Sequence, residues 1–171
     1  SSAASDVYKR QGEGGEAEKA DSSTYAGMKI YTIGFTRKSA KEFFEILKRN
    51  DVKQVVDIRL NNTSQLAGFT KKNDLAYFLK ELCGIEYYHF KFLAPTKEIR
   101  DRYIESKDWD VYVEEYLRLL EERGVIDKLE RSFFEMRTCL LCSEPTAEHC
   151  HRRLLAEYLK KQWGDVEVVH L

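Results

Sequence analysis

Short apolar runs and longer helical periods alternate along the chain. The runs are rich in β-branched and aromatic residues, which favours strands over residues 28–34, 52–60, 85–90, 137–144 and 166–171. Between them, apolar residues recur at helical spacing over 40–50, 75–83, 111–124, 125–134 and 147–163, and a further helix follows Pro95 and ends near Ser106. Strands that alternate with helices form βαβ units. We therefore expect one α/β domain over 28–171, a three-layer sandwich around a mainly parallel sheet of about five strands.

Helix-capping residues agree with these boundaries. Ser39 stands where the N-cap of the helix over 40–50 is expected. Gly84, Gly124 and Gly164 each follow a periodic segment, and glycine at that position ends a helix.

The first 27 residues differ from the rest of the chain. They are rich in Ser, Gly, Ala and Glu and lack a hydrophobic period, so we expect them to be disordered or a non-native extension. Without them, the formal charge changes from −1 (28 bases, 29 acids) to +1 (25 bases, 24 acids). A balance so near zero does not favour a nucleic-acid partner over any other, so an anion site has to come from local clustering.

No apolar run approaches the roughly 20 residues that span a bilayer, and no leader pattern is present. We therefore predict a cytoplasmic protein without a membrane partner, and free thiols at its four cysteines. The pattern leaves the oligomeric state open.

Polar side chains gather where the predicted parallel strands end. Because ligands bind beyond the carboxyl ends of such strands, we place the functional site there. Arg59, Arg152 and Arg153 are the predicted anion clamp, since a guanidinium fork suits phosphate, and the N-terminus of the last long helix adds free N–H groups. The alternative is that one of these arginines pairs with Asp57 or Glu144 and holds strand ends together.

Three residue types at this edge suit proton transfer or thiol chemistry. Asp57 and Glu144 are the candidate carboxylates for acid or base catalysis, and His89 is the candidate proton carrier. Cys150, with a histidine on each side near a helix start, is a candidate nucleophile, and Cys142 could face it. A packed cysteine and a partly buried histidine are the structural alternatives for Cys150 and His89.

Two further observations limit the chemistry. Phe69 stands in a polar loop beside lysines, where an aromatic ring could stack on a nucleobase. Cys142, His149, Cys150 and His151 are the candidate zinc ligands, with Cys142, Cys150 and His151 foremost, but their spacing matches no compact zinc pattern. We therefore predict no cofactor and favour no metal, with zinc as the minor alternative. The chain also lacks G-x-S-x-G, Walker and G-x-G-x-x-G motifs.

Five blocks together carry a family resemblance: YTIGF, VVDIR, NTSQLAGF, YYHFKFLAPTKE and LLCSEPTAEHCHRR. In this order and spacing they resemble the domain of unknown function family 488, over essentially residues 28–171. The resemblance implies a compact α/β domain with the blocks around one cleft, and it implies no activity. The site residues that it implies are Thr36, Asp57, Arg59, Ser64, His89, Cys142, Glu144, Cys150, His151 and Arg152.

Two departures from the commoner family pattern are visible. Phe35 stands where a histidine is frequent, and Ala94-Pro95 stands where many relatives have two glycines. The first departure removes a base that some relatives have at this point, and the second makes the loop stiffer.

The resulting hypothesis is a domain that binds a phosphate-bearing ligand, a nucleotide or nucleic acid, at the carboxyl edge of the sheet, with acid or base catalysis as an option. In it, Thr36, Arg59, Ser64, Phe69, His151 and Arg152 contact the ligand. Two alternatives stay open: a non-catalytic binding or structural module, and a thiol enzyme that uses Cys150 with Cys142. A local similarity of VVDIR to rhodanese-like domains belongs to the last alternative.

Overall fold

The computed structural model describes residues 27–63 and 68–171. Within these residues five strands form one parallel sheet in the order β3-β2-β4-β1-β5. The strands are β1 (Met28–Gly34), β2 (Gln54–Asp57), β3 (Glu86–His89), β4 (Thr138–Cys142) and β5 (Val166–His170). The predicted α/β sandwich around a parallel sheet is confirmed. The predicted disorder of residues 1–27 falls outside the described residues, apart from Gly27.

Six α-helices lie between the strands in the described part of the chain. They are α1 (Ala40–Arg49), α2 (Lys72–Cys83), α3 (Lys97–Ser106), α4 (Trp109–Glu122), α5 (Val125–Lys128) and α6 (His151–Trp163). Short 3₁₀ turns cover Gly68–Thr70, Lys91–Leu93 and Arg131–Glu135. None of the helices in the described residues is long and apolar enough to cross a membrane.

Two predicted helices differ from the observed ones. The segment 125–134 is not one helix, because α5 ends at Lys128 and a 3₁₀ turn begins at Arg131. The last long helix begins at His151 rather than near residue 147, so residues 143–150 form a loop after β4. Cys150 is the N-cap residue of α6, in an extended conformation.

Alternation along the strands divides the core into two layers. Ile30, Val56 and Leu140 point to the face that α4 and α6 cover. Tyr31, Val55 and Cys139, their neighbours in sequence, point to the opposite face, against Phe43 and Phe44 of α1 and Leu75 and Leu79 of α2. Each sheet face is therefore buried, as expected for parallel strands of continuous apolar sequence.

The connections reverse direction between two central strands. From β1 the chain crosses over through α1 to β2, on one side of β4, whereas from β4 it crosses through α6 to β5, on the other side of β1. Strands β1 and β4 are adjacent, with Gly34 opposite Cys142 at their carboxyl ends. Ligands of open α/β sheets bind at such a reversal.

Candidate functional site

The reversal between β1 and β4 brings the predicted strand-end residues to one edge. Gly34, Asp57, His89 and Cys142 each end a strand of the sheet. Their side chains do not form one open cluster, because they fall into two buried networks that lie on opposite faces of the sheet.

The first network contains Asp57 and Arg59. Arg59 donates from Nε to Asp57 Oδ1 at 2.9 Å and from Nη2 to Oδ2 at 2.8 Å, and Nη2 also donates to the Thr70 carbonyl at 2.7 Å. Tyr87 adds its hydroxyl to Asp57 Oδ2 at 2.6 Å. Asp57 is 0% exposed and Arg59 6%. The two charges therefore neutralise each other, and removal of either one would leave the other buried without a partner.

His89 and Phe35 border this ion pair. Because only a donor can face a carbonyl, His89 Nε2 must carry a proton and donate it to the Arg59 carbonyl oxygen, 2.8 Å away. The Arg59 guanidinium lies over the ring of Phe35, 5.2 Å from its centroid. Phe35 thus supplies a cation–π contact that a smaller residue would lack.

The second network is built around Arg152, which is 1% exposed at the start of α6. Its Nη1 donates to the Glu144 carbonyl at 2.6 Å and to Cys142 Sγ at 3.1 Å, and its Nε donates to Thr32 Oγ1 at 3.2 Å. Thr32 in turn lies 2.7 Å from Nδ1 of His170. Arg152 therefore connects β1, β4, β5 and the loop after β4.

Gly34 makes room for this network. A Cβ atom there would lie well inside 3.0 Å of both the Glu144 carbonyl oxygen and Arg152 Nη1. A backbone hydrogen bond, from the Thr36 amide to the Ser143 carbonyl at 3.1 Å, also holds the loop after β4 against the end of β1. Close backbone approach, rather than a special backbone conformation, explains the glycine at this position.

Two thiols face each other beside Arg152. The Sγ atoms of Cys142 and Cys150 are 2.7 Å apart, and the two residues are 1% and 2% exposed. Burial opposes ionisation of Cys142, but the hydrogen bond from Cys150 and the charge and hydrogen bond of Arg152 hold its pKa below the ordinary value. Burial and the nearby Cys142 raise the pKa of Cys150 well above that value. Cys142, not Cys150, is therefore the thiol more ready to ionise.

His151 borders the thiols on the other side. Its Nε2 donates to the Ile58 carbonyl at 2.8 Å, so Nδ1 of the neutral ring has a free lone pair, 4.0 Å from Cys150 Sγ. Burial, helped by the charge of Arg152, lowers the pKa of His151 to about 4. The ring is therefore neutral at physiological pH, as a proton acceptor has to be.

A cleft of about 590 Å³ opens above both networks. This volume is in the range of small-molecule sites. The cleft is lined by residues that follow β1 and β2, by residues in and next to helices α3 and α4, and by residues from the end of β4 to the start of α6. They are Phe35, Arg59, Leu60, Asn61, Pro95, Arg100, Tyr103, Ile104, Lys107, Tyr112, Cys142, Ser143, Glu144, His149, Cys150 and His151.

One wall of the cleft was not expected from the sequence. Helix α3 and the residue after it contribute Arg100, Tyr103, Ile104 and Lys107. Tyr103, Ile104 and Lys107 follow Arg100 by three, four and seven residues, so the four positions lie on one face of the helix. This spacing is visible in the sequence and could have indicated the wall. Neither Arg100 nor Lys107 forms an ion pair with any residue that the structure describes.

Positively charged side chains outnumber negatively charged ones in the lining of the cleft. Arg59, Arg100 and Lys107 line it with three positive charges, and Glu144 with one negative charge. Arg59 is already neutralised by Asp57, so Arg100 and Lys107 are the cations available to a ligand. Glu144 and His149 are exposed at the rim, and they are the lining groups free for proton transfer.

Several predicted site residues lie elsewhere. Phe69 packs against Phe43 and Phe44, with ring centroids 5.6 and 5.9 Å away, because its ring completes the core between α1 and α2. It is not among the residues that line the cleft, and the same is true of Thr36 and His89. The predicted ligand residue Ser64 lies outside the described residues.

The residues considered for zinc do not fit a metal. In the described ranges no group of three or more His, Cys, Asp and Glu side chains is arranged to hold a metal ion. Two thiolates on one tetrahedral zinc, with Zn–S distances of about 2.3 Å, lie about 3.8 Å apart. The sulfur atoms of Cys142 and Cys150 are closer, at 2.7 Å. The absence of a cofactor stays a prediction.

Comparison with known proteins gives one match. A family described as "Domain of unknown function DUF488" matches residues 39–159, more than half of the 171 residues. No curated protein and no solved structure matches the chain significantly. The matched segment runs from the N-cap of α1 into α6, and so it includes the Asp57–Arg59 pair, both thiols and Arg152.

Proposed function

The chain belongs to the DUF488 family, whose description names no activity, and from the geometry of the cleft we propose that it binds a nucleotide through its phosphate. One observation carries the proposal. Arg100 and Lys107 line the cleft without an ion pair among the described residues, and they share it with the rings of Phe35, Tyr103 and Tyr112. Cations suit a phosphate, and aromatic rings suit a base.

The roles of the arginines change in this proposal. Arg59 and Arg152 were expected to clamp the anion, but their guanidinium groups are bonded to Asp57, Cys142 and backbone carbonyls. They support the floor of the cleft, and the exposed cations of α3 contact the ligand. A mobile side chain on a rigid helix can adjust to a phosphate, whereas a buried and paired guanidinium cannot do so without losing its partners.

If the domain also catalyses a reaction, Glu144 is the carboxylate that exchanges a proton with the ligand. Asp57 is fully buried and bonded to Arg59 and Tyr87, so it is not available to exchange a proton with a ligand. Glu144 is exposed at the cleft, and its backbone carbonyl is fixed by Arg152. Its side chain can therefore reach a ligand from a fixed point.

A non-catalytic structural module is favoured by a different observation. Both buried networks are satisfied internally and join strand ends, which is what a purely structural role requires. The two functions differ in what Arg100 and Lys107 do, because neither residue belongs to a network.

The test is a thermal-shift screen of the full chain against nucleoside mono-, di- and triphosphates, the same nucleosides without phosphate, short oligonucleotides and inorganic phosphate. A ligand at 100 times its Kd adds about 2.7 kcal/mol of stability. For a domain of this size, that corresponds to a rise in Tm of roughly 5–10 °C. We expect shifts with the nucleotides and not with the nucleosides.

A pair of double variants then locates the site. Arg100→Gln with Lys107→Gln should weaken nucleotide binding at least about tenfold per cation, because charge-assisted hydrogen bonds are worth about 1.5–3 kcal/mol. The control, Lys41→Gln with Arg118→Gln, removes the same charge from exposed helix positions away from the cleft. Equal loss in both doubles would mean general electrostatic attraction, and no loss in either would refute the proposed cleft. Binding of oligonucleotides alone would point to nucleic acid instead.

A further inference from the structure

The pair of cysteines under the cleft has a geometry that ligand binding does not use. Cys142 ends the central strand β4, and Cys150 precedes the first residue of α6, so the loop 143–150 closes back on itself at the two sulfur atoms. The sulfur atoms are 2.7 Å apart, and both residues line the cleft. The other two cysteines differ, because Cys139 faces the core between the sheet and α1, and Cys83 lies on α2.

We propose that Cys142 and Cys150 form a hydroperoxide-reactive pair, in which Cys142 is the attacking sulfur and Cys150 the resolving one. The positive charge of Arg152 lies 3.1 Å from Cys142 Sγ and stabilises a thiolate there. Cys150 is oriented towards the same sulfur, which is the arrangement that converts a sulfenic acid into a disulfide. The assignment reverses the order expected from the sequence, in which Cys150 was the nucleophile.

The low exposure of the two cysteines limits which oxidants can reach their sulfur atoms. Cys142 and Cys150 are 1% and 2% exposed, which disfavours bulky disulfides and alkylating reagents. Hydrogen peroxide is little larger than a water molecule and can enter a cleft of about 590 Å³. We therefore specify hydrogen peroxide or a small hydroperoxide as the co-reactant.

The reaction proceeds in two balanced steps. In the first, Cys142 Sγ attacks one peroxide oxygen, the O–O bond breaks, Cys142 becomes a sulfenic acid, and hydroxide leaves and takes up a proton from solvent. In the second, Cys150 Sγ attacks the Cys142 sulfur, the S–S bond forms, the S–O bond breaks, and water leaves. Two thiols are oxidised and one peroxide is reduced to two molecules of water.

His151 provides for the proton of Cys150. Because its Nε2 donates to the Ile58 carbonyl, Nδ1 has a free lone pair, 4.0 Å from Cys150 Sγ, that can accept the proton of this thiol. Burial, followed by the charge of Arg152, keeps this ring neutral above its pKa of about 4. An acceptor is therefore present when Cys150 has to lose its proton.

The test is treatment of the reduced full chain with one equivalent of hydrogen peroxide, followed by intact mass and peptide mapping. We expect a loss of about 2 Da that dithiothreitol reverses, and one cross-linked peptide pair that contains Cys142 and Cys150. A chain that keeps all of its thiols, or a cross-link through Cys83 or Cys139, would overturn the proposal. This measurement needs no variant and does not depend on the proposed nucleotide site.

Variants assign the two roles. In Cys150→Ser, Cys142 should accumulate as a sulfenic acid, about 16 Da heavier, which dimedone captures when the oxidised chain is unfolded in its presence. In Cys142→Ser, oxidation of Cys150 should slow at least about tenfold, because burial, the largest cause of the raised pKa of Cys150, remains. Cys83→Ser is the control and should oxidise as the parent chain does. Dimedone capture at Cys150 in Cys142→Ser at the parental rate would refute the assigned order.

Discussion

Replacement of Gly34 by alanine perturbs the point where the two halves of the site meet. The added Cβ would lie well inside 3.0 Å of the Glu144 carbonyl oxygen and of Arg152 Nη1. Because β1 is a central strand with a fixed register, the loop after β4 has to move away. Two hydrogen bonds depend on that loop: Arg152 to the Glu144 carbonyl at 2.6 Å, and the Thr36 amide to the Ser143 carbonyl at 3.1 Å.

The expected cost follows from these two bonds. A hydrogen bond to a charged group contributes about 1.5–3 kcal/mol, and a neutral one about 0.5–1.5 kcal/mol. Their loss or distortion gives a destabilisation of about 2–4 kcal/mol. At roughly 2–4 °C per kcal/mol, Tm should fall by roughly 5–15 °C. No apolar contact of the core is removed, so the effect isolates the junction between β1 and the loop.

The assay is urea unfolding followed by circular dichroism and tryptophan fluorescence. The matched control is Gly68→Ala, since a Cβ at Gly68 has no neighbour within 4 Å among the residues that the structure describes. The control should unfold within about 1 kcal/mol of the parent chain. A Gly34→Ala chain within about 0.5 kcal/mol of the parent would contradict the packing described here. An insoluble Gly34→Ala beside a soluble control agrees with it.

Three further outcomes are expected. Asp57→Asn should destabilise the fold by about 3–5 kcal/mol in urea unfolding, because Arg59 keeps a buried charge without its partner, and a loss below about 1 kcal/mol would contradict the buried pair. Burial, with the charge of Arg152, lowers the pKa of His151 from 6.5 to about 4, so its contribution is complete above pH 6.5 and is lost as the pH falls towards 4. The loss amounts to at most about 3 kcal/mol, and His151→Gln should flatten that part of the stability–pH curve, whereas an unchanged curve would refute the assignment. Phe69→Ala should lower Tm and leave nucleotide affinity within about twofold in calorimetry, since its ring packs on Phe43, and selective loss of affinity would return Phe69 to the site.

The sequence predicted the architecture because each layer has its own periodicity. The strand runs, the glycines at helix ends and the N-cap at Ser39 are local signals, and the structure agrees with them. The late start of α6 had no such signal, since residues 147–150 also fit a helical period. There the loop is held by a side-chain bond from Arg152 to the Glu144 carbonyl and by the close approach of Gly34, which is distant in sequence, and helical periodicity reports neither contact.

The cleft lies at the edge of the sheet that the sequence indicated, but most of its lining was not predicted. The rule that ligands bind beyond the carboxyl ends of parallel strands indicated this edge of the sheet, and Cys142 and Glu144 line the cleft there. Whether Arg59 faces a ligand or Asp57 depends on rotamers and on the position of Thr70, which no spacing reveals. Helix α3 was missed as a wall because its only buried residue is Ile99, so its periodicity says little about its neighbours.

NMR titration of the ¹⁵N-labelled chain with nucleoside monophosphates, and with inorganic phosphate, tests the central claim most directly. We predict saturable shifts of amide signals that cluster at Arg100, Tyr103, Lys107 and the loop 143–150, with weaker shifts for phosphate alone. The shifts should be lost in the Arg100→Gln, Lys107→Gln variant and kept in the Lys41→Gln, Arg118→Gln control. Shifts that cluster on α1 and α2, or none with any of these compounds at millimolar concentration, would contradict a phosphate site in this cleft.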